Sequence, residues 1–344
     1  MDERSSASLG RDPNPSVWPD EVFPVFERSI TAEYASLTRK SCPVTVPITP
    51  FVGAEAQTID VSTGLSYPAK AERARRDPRV SLLFADPIGS SLADPPVVLV
   101  QGLATVRDSD LQENTDRYVR ISVEKLPDAT RGQPHFILRR LAWYYARIWI
   151  EVTPLHIRWW PSRALDGPTR AWDAPEGTAA PLSDPAPSGK QPDPWLSPPT
   201  SWRRAAQDAD RLSLHDLTVV DGNGFPLCLP VTRTEPVAGG YHLGLGEAAP
   251  TVGAGPACLT MHTHAERFTG QENRTIMGTV EPGADGGTLL FRAERALADW
   301  SIAGGRPRSA VGFLAKGRRL APRLRAEAQR RFQPVPEVRL PGRR

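Results

Sequence analysis

A short motif occurs twice in the chain. Pro43-Val44-Thr45-Val46-Pro47-Ile48-Thr49 returns 183 positions later as Pro226-Leu227-Cys228-Leu229-Pro230-Val231-Thr232. Further on, Gly255-Pro256-Ala257-Cys258-Leu259-Thr260-Met261 matches Asp77-Pro78-Arg79-Val80-Ser81-Leu82-Leu83 at an offset of 178, and Gly278 matches Gly102 at an offset of 176. The order is kept and the offsets shrink by loop-sized steps. A chain with this property folds as two copies of one domain.

The domain reads as β. The first copy of the motif contains no helix former, and Thr58 to Gly64, Val80 to Phe84 and Val97 to Gly102 are further strand patterns separated by turn residues. In the second half, Asp221-Gly222-Asn223-Gly224 is a hairpin turn between Leu217-Thr218-Val219-Val220 and the repeated strand. Short strands at this spacing bury their apolar faces by curling the sheet into an antiparallel barrel. The alternation of Trp143 to Val152 marks a final strand, with Ile148, Ile150 and Val152 on one face and Arg147, Trp149 and Glu151 on the other. Two amphipathic helices are expected, one over Phe26 to Thr38 from the spacing of Phe26, Ile30, Tyr34 and Leu37, the other over Asn114 to Leu126.

These patterns divide the chain into a loose arm (1–20), a first barrel (21–161), a Pro-rich linker (162–201), a second barrel (202–305) and a basic C-terminal helix and tail (306–344). Two domains agree with 344 residues. The 42 Lys and Arg are interspersed with 39 Asp and Glu, giving a net charge of +3. No basic stripe interleaved with aromatics marks a nucleic-acid binder. Cys42, Cys228 and Cys258 have neither zinc-ligand nor disulfide-framework spacing, which fits a reducing cytoplasm. No apolar run reaches the ~18 residues of a membrane span.

One place suits an anion. Ser62-Thr63-Gly64 ends a strand, Ser66 follows, and Lys70 opens a basic segment that includes Arg75 and Arg76. Hydroxyls and turned backbone N–H groups donate hydrogen bonds to phosphate oxygens, and a lysine at a helix start adds charge where the macrodipole already favours anions. The second copy carries Glu247-Ala248-Ala249-Pro250 in this region, so the anion site is confined to the first half. His262 and His264 share a strand face, but no third ligand with matching spacing is evident, and no metal site is assigned. Aligned at the 178 offset they fall at Phe84 and Asp86, a strand end that favours contact with the other barrel. No Ser-His-Asp or Cys-His set and no glycine-rich nucleotide loop is present.

Val61-Ser62-Thr63-Gly64, Ser66-Tyr67-Pro68-Ala69-Lys70-Ala71 and Arg75-Arg76-Asp77-Pro78-Arg79-Val80-Ser81-Leu82-Leu83-Phe84 together resemble the FMN-binding split barrels of the pyridoxamine 5'-phosphate oxidase-like superfamily. The resemblance spans residues ~30 to 160, and more weakly ~212 to 300. It implies a mainly β fold of tandem six-stranded antiparallel split barrels of Greek-key type, paired as an intramolecular pseudo-dimer with flanking helices. One cofactor would lie in the cleft, held by Ser62, Thr63, Ser66, Lys70 and Arg75, with Thr45, Pro47 and Thr49 as the floor under the ring and Gln101 approaching from the next strand. Arg147, His262, His264, Arg267 and Gln271 are candidates for contacts across the barrels.

Two departures stand out. The oxidases carry cations on the strand that here reads Thr45 to Thr49, and Tyr67-Pro68 is inserted before the lysine. They leave FMN, the deazaflavin coenzyme and, further off, haem as cofactors. The expected function is a flavin- or deazaflavin-dependent oxidoreductase acting on a small organic substrate as a monomeric pseudo-dimer. The alternatives are a flavin- or haem-binding sensor without turnover and a structural pseudo-enzyme.

Overall fold

The computed structural model describes residues 17–127, 141–189, 201–207, 211–268, 270–283, 288–297 and 307–340. Most of the expected N-terminal arm and the end of the linker lie outside these residues.

Two antiparallel sheets share one strand order. The first contains β1 (Ala32–Leu37), β2 (Pro43–Ile48), β3 (Phe51–Val52), β4 (Ile59–Gly64), β5 (Arg79–Phe84), β6 (Val97–Arg107) and β7 (Arg147–Trp160). It runs β2-β1-β5-β6-β7-β4-β3 in space, with β8 (Arg170–Asp173) paired to β7. The second contains β9 (Leu214–Val220), β10 (Pro226–Pro230), β11 (Arg233–Val237), β12 (Gly240–Gly244), β13 (Gly255–His264), β14 (Gln271–Pro282) and β15 (Thr288–Ala296). Its order, β10-β9-β13-β14-β15-β12-β11, is the first order repeated strand for strand. The fold is therefore a tandem split barrel, mainly β, with flanking helices. Each path counts seven strands, the seventh being the edge strand β3 or β11.

The repeat is accurate down to its irregularities. Gly102 on β6 and Gly278 on β14 each sit where the ladder slips register. A Cβ on Gly102 would stand 2.3 Å from Thr153 O, and one on Gly278 would stand 2.0 Å from Arg292 O. Both bulges bring backbone against backbone, which only glycine permits.

One pairing read from sequence is a residue out. Val80 is opposite Gly102 and Ala257 is opposite Gly278, so β5 and β13 correspond at an offset of 177, not 178. Facing confirms it: Val80, Leu82 and Phe84 enter the first core, and Ala257, Leu259 and Met261 enter the second. A one-residue slip would turn every side chain to the other face. The prolines at 78 and 256 misled the alignment because they are not equivalent: Pro78 precedes β5, whereas Pro256 is already paired with Thr279 within β13. His262 thus corresponds to Ala85, and His264 to Pro87.

Three other expectations change. The spacing over Phe26 to Leu37 fits a helix, but only α1 (Phe23–Arg28) is helical and Ala32–Leu37 is β1. Every residue of β1 is buried, because one face enters the barrel and the other meets the second barrel, so the alternation that marks a strand is lost. Trp18, in the supposed arm, is buried against Phe26 with ring centroids 5.3 Å apart. The first part of the Pro-rich stretch is held on the first barrel: Thr105 Oγ1 donates to Pro181 O at 2.8 Å, and Asp184 Oδ2 accepts from the backbone N–H groups of Asp108 and Ser109.

The remaining helices are α2 (Ala69–Arg76) and α3 (Leu111–Lys125), a short turn at Ala142–Tyr145, Trp202–Gln207, and Pro307–Arg330 near the C-terminus. The last returns to the first barrel, placing Leu320, Leu324 and Ala328 in its core. Among the described residues no helix is long and apolar enough to cross a membrane.

The barrels meet through equivalent surfaces. β2 packs on β9, β13 and β14, while β10 packs on β1, β5 and β6. Thr45 and Thr218 share a hydrogen bond of 2.6 Å between their hydroxyls, and Gln101 Nε2 donates to Asp221 Oδ2 at 2.8 Å. The two bulges provide a matched test. Gly102→Ala and Gly278→Ala should each destabilise the protein by about 1–3 kcal/mol in urea unfolding; a neutral result at either would place that strand's register elsewhere.

Candidate functional site

Gly64 ends β4 opposite Arg147 of β7. The chain then turns, and Tyr67 folds back over Gly64, where a Cβ would lie 2.3 Å from the Tyr67 ring. α2 begins two residues later. Lys70 and Arg73, three apart, occupy one face of this helix. Three cations thereby gather beside the strand end: Lys70, Arg73 and Arg147.

Their partners are all neutral. Arg147 donates to Tyr118 Oη at 2.9 Å and to Tyr67 Oη at 3.5 Å, its guanidinium carbon lies 4.0 Å from the centre of the Tyr118 ring, and its Nε has no partner. Arg73 Nε donates to Ser36 Oγ at 2.9 Å. Among the described residues Lys70 has no hydrogen bond or ion pair, and no carboxylate closes the cluster. Burial, followed by Arg147 and Arg73, brings Lys70 down to about 7; the residue is only half-buried, so solvent moderates the effect. Burial likewise lowers Arg73, to about 10. A positive cluster this poor in counter-charge could hold an anion, whose charge would offset the mutual repulsion of the three cations.

Other residues assigned to the site are divided by the fold. Ser62 lies in register with Trp149, on the Arg147 face of β4. Thr63 points to the opposite face and donates to Tyr67 O at 3.1 Å, so the two hydroxyls do not converge. Ser66 is buried and donates to Trp143 O at 3.4 Å. Arg75, five residues beyond Lys70, faces away from it: its guanidinium donates to Asp108 Oδ1 at 2.9 Å and to Asp184 O. Thr45 is fully buried under the second barrel, its carbonyl accepting from Thr260 and Thr275, so β2 does not offer it as the floor under a ring. Pro47 and Thr49 are half-buried further along that strand and beyond its end. Gln101 is spent on the second barrel's hairpin.

Of the cross-barrel candidates, Arg147 stays within the first barrel. Glu151, on the same face of β7, pairs with Arg107 at 2.9 Å. His264 Nε2 reaches Asp86 Oδ2 at 2.6 Å across the interface. Arg267 borders a cavity of about 470 Å³ with Ile30, Gly89 and Lys125 of the first barrel. Gln271 is buried opposite His264 in the ladder.

His262 crosses too, and there the fold supplies what spacing did not. Its ring lies among Glu33 of β1 and Asp216 of β9, with Nε2 2.7 Å from Glu33 Oε1 and 3.5 Å from Asp216 Oδ2. Burial, with Asp216 beside it, pushes Glu33 up to about 7. Burial opposes charge on His262, but Asp216 and Glu33 outweigh it and hold the imidazole up at about 10. Glu33 and Asp216 are equivalent positions of the repeat, 183 residues apart, and that equivalence is the signal in the sequence that would have found them.

The second barrel lacks the cation cluster for a structural reason as well. No helix follows β12. The chain there is pinned by Ala248 N donating to Leu165 O at 2.7 Å, and Gly246 approaches Ala164 O so closely that a Cβ would stand 1.7 Å away.

No protein-family model and no curated protein matches the sequence. Solved structures do. The chain is similar to an F420 reductase (14% identity, TM-score 0.31, over 41% of this chain and 98% of that one). It is similar to a pyridoxamine 5'-phosphate oxidase-related, FMN binding protein from Nostoc punctiforme (14%, TM-score 0.28, 38% and 73%). It is also similar to a heme binding protein from Mycobacterium smegmatis (14%, TM-score 0.31, 89% and 99%).

The cluster makes a prediction of its own. With lysines reductively 13C-methylated, Lys70 should titrate well below the ordinary lysine value, as should Lys125, which burial lowers likewise, and Arg147→Gln should move only the Lys70 signal upward by removing a neighbouring charge. An ordinary value in the unaltered chain would mean that the ammonium is fully solvated.

Proposed function

We propose that the first barrel binds a phosphate-bearing flavin-type cofactor, FMN or the deazaflavin coenzyme, and that the chain is an oxidoreductase acting on a small organic substrate. One observation carries this reading: Lys70, Arg73 and Arg147 converge with hydroxyl and phenol partners and no carboxylate. The donor set fits a phosphate group, since guanidinium and ammonium groups form charge-assisted bonds to its oxygens. It fits less of the ring, because Thr45 is covered by the second barrel. Such a cofactor supplies hydride transfer, which explains why no nucleophile set is needed.

The protein's own contribution is positional. Arg147 is fixed by the Tyr118 phenol and the β7 ladder, so it meets an anion without first losing side-chain freedom. Arg73 is fixed by Ser36. Lys70 gains most on binding, because an incoming anion restores the charge that burial and two neighbouring cations disfavour. Haem is the weaker alternative, since the imidazoles of His262 and His264 are buried in the interface between the barrels, beside Glu33 and Asp86. A binding or sensing role without turnover shares the same anion seat.

The test is reconstitution followed by spectroscopy. Protein mixed with FMN or deazaflavin should retain one equivalent per chain through gel filtration, with a shifted visible spectrum and altered fluorescence. Lys70→Ala should weaken binding ten-fold or more, the loss of a charge-assisted contact of about 1.5–3 kcal/mol. The pH dependence has a definite sign. Lys70 must be protonated to attract the anion, so affinity should fall as pH rises through about 7, and Lys70→Met should flatten that part of the profile. Uptake of neither flavin, or an affinity indifferent to Lys70, would remove the reading.

A further inference from the structure

We propose that Glu33, Asp216 and His262 bind one divalent transition-metal ion of the zinc class, which clamps the two barrels together at their shared interface. All three side chains are 0% to 1% exposed. Five of their atoms, Glu33 Oε1, Glu33 Oε2, Asp216 Oδ2, His262 Nδ1 and His262 Nε2, have no hydrogen-bond partner. The donor groups come within 4.8 Å of one another. Burying that many unpaired donors and acceptors is costly unless something occupies the space between them.

An ion of charge +2 answers both the geometry and the charge. Two carboxylates and one imidazole are a donor set that zinc accepts, and the second Glu33 oxygen, also unpartnered, can complete the shell as a longer fourth contact outside the ideal tetrahedral spacing. Around a tetrahedral ion with bonds near 2.0–2.1 Å, neighbouring donors stand about 3.3 Å apart. The 3.5 Å between His262 Nε2 and Asp216 Oδ2 already meets that spacing. The 2.7 Å contact to Glu33 would open by about half an ångström, which rotation of a glutamate side chain provides. That contact lies off the N–H direction, since neither atom counts as hydrogen-bonded despite the short distance.

The surroundings are those of a held ligand. Asp216 uses its other oxygen, Oδ1, to accept from Arg163 at 3.0 Å, and Arg163 also donates to His215 O and Ala85 O. Carboxylate ligands are commonly fixed by such an outer contact. The site is closed to solvent and would use every donor it has, so its role is structural, with no open position for a substrate. Glu33 and Asp216 come from equivalent strands of the two copies, whereas His262 corresponds to Ala85. The copies therefore build one three-ligand site between them, using a histidine that only the second contributes.

The experiment uses the full chain expressed with added Zn²⁺, and separately with Co²⁺, followed by dialysis against chelator. Elemental analysis should find one equivalent of either ion, and the Co²⁺ form should show the intense visible bands of a four-coordinate site. Glu33→Gln and His262→Gln should reduce the retained metal at least ten-fold, with circular dichroism reporting whether each variant folds. If a variant does not fold, the unaltered chain decides. Less than a tenth of an equivalent of both ions, a six-coordinate Co²⁺ spectrum, or metal retained equally by folded variants would each overturn the proposal.

Discussion

The structure depends on burying the outer faces of β1, β2 and β5 against β9, β10 and β13. In a single open barrel these faces would meet water. Here they carry Thr45, Ser81, Thr218 and Thr260, all buried, together with Glu33 and Asp216. Polar groups in such numbers give the interface little hydrophobic drive, but they fix its register, because each buried donor or acceptor requires a partner. Thr45 is the centre of that arrangement: its hydroxyl, amide and carbonyl all meet atoms of the second barrel. The apolar support lies around it, where Leu83, Ala85, Val97 and Leu99 of the first half join the second half's core.

That interface allows the two copies to differ elsewhere. With two copies in one chain, each is free to specialise while the packing surface stays symmetric. The first kept a helix after β4, and with it Lys70 and Arg73. The second lost the helix and gave the space to the connecting segment, through Leu165, Ala248 and Trp160. The C-terminal helix then reinforces the first copy. Arg323 Nε donates to Ser66 O at 3.0 Å, and Arg331 binds Asp108 and Glu327 in a buried network that also holds Glu72 of α2. The cation-bearing helix is thus anchored from its far side by the end of the chain.

The sequence made the duplication legible because proline and glycine mark backbone geometry more reliably than apolar residues mark faces. Gly102 and Gly278 sit at equivalent bulges, and Pro43 and Pro226 open equivalent strands. β1 was illegible because it is buried on both faces, and its apolar residues happen to fall at helical spacing. At the site, Lys70 was readable from its position at a helix start. Arg75 was misassigned because five residues along a helix turn a side chain to the far side, while Arg73, at three, faces the same way. Thr45, Gln101 and Glu33 answer to the second barrel and Asp216 meets Glu33 of the first, in each case more than a hundred residues away, and local pattern holds no trace of such partners.

The arrangement of the barrels is tested most directly by a cross-link at its centre. In a chain with Cys258→Ser, the pair Thr45→Cys and Thr218→Cys should oxidise to an intrachain disulfide in the monomer, identified by peptide mass spectrometry without reduction, because the native hydroxyls are 2.6 Å apart. Thiols that stay free under oxidation, or that link separate molecules instead, would contradict a fold in which the two copies face one another.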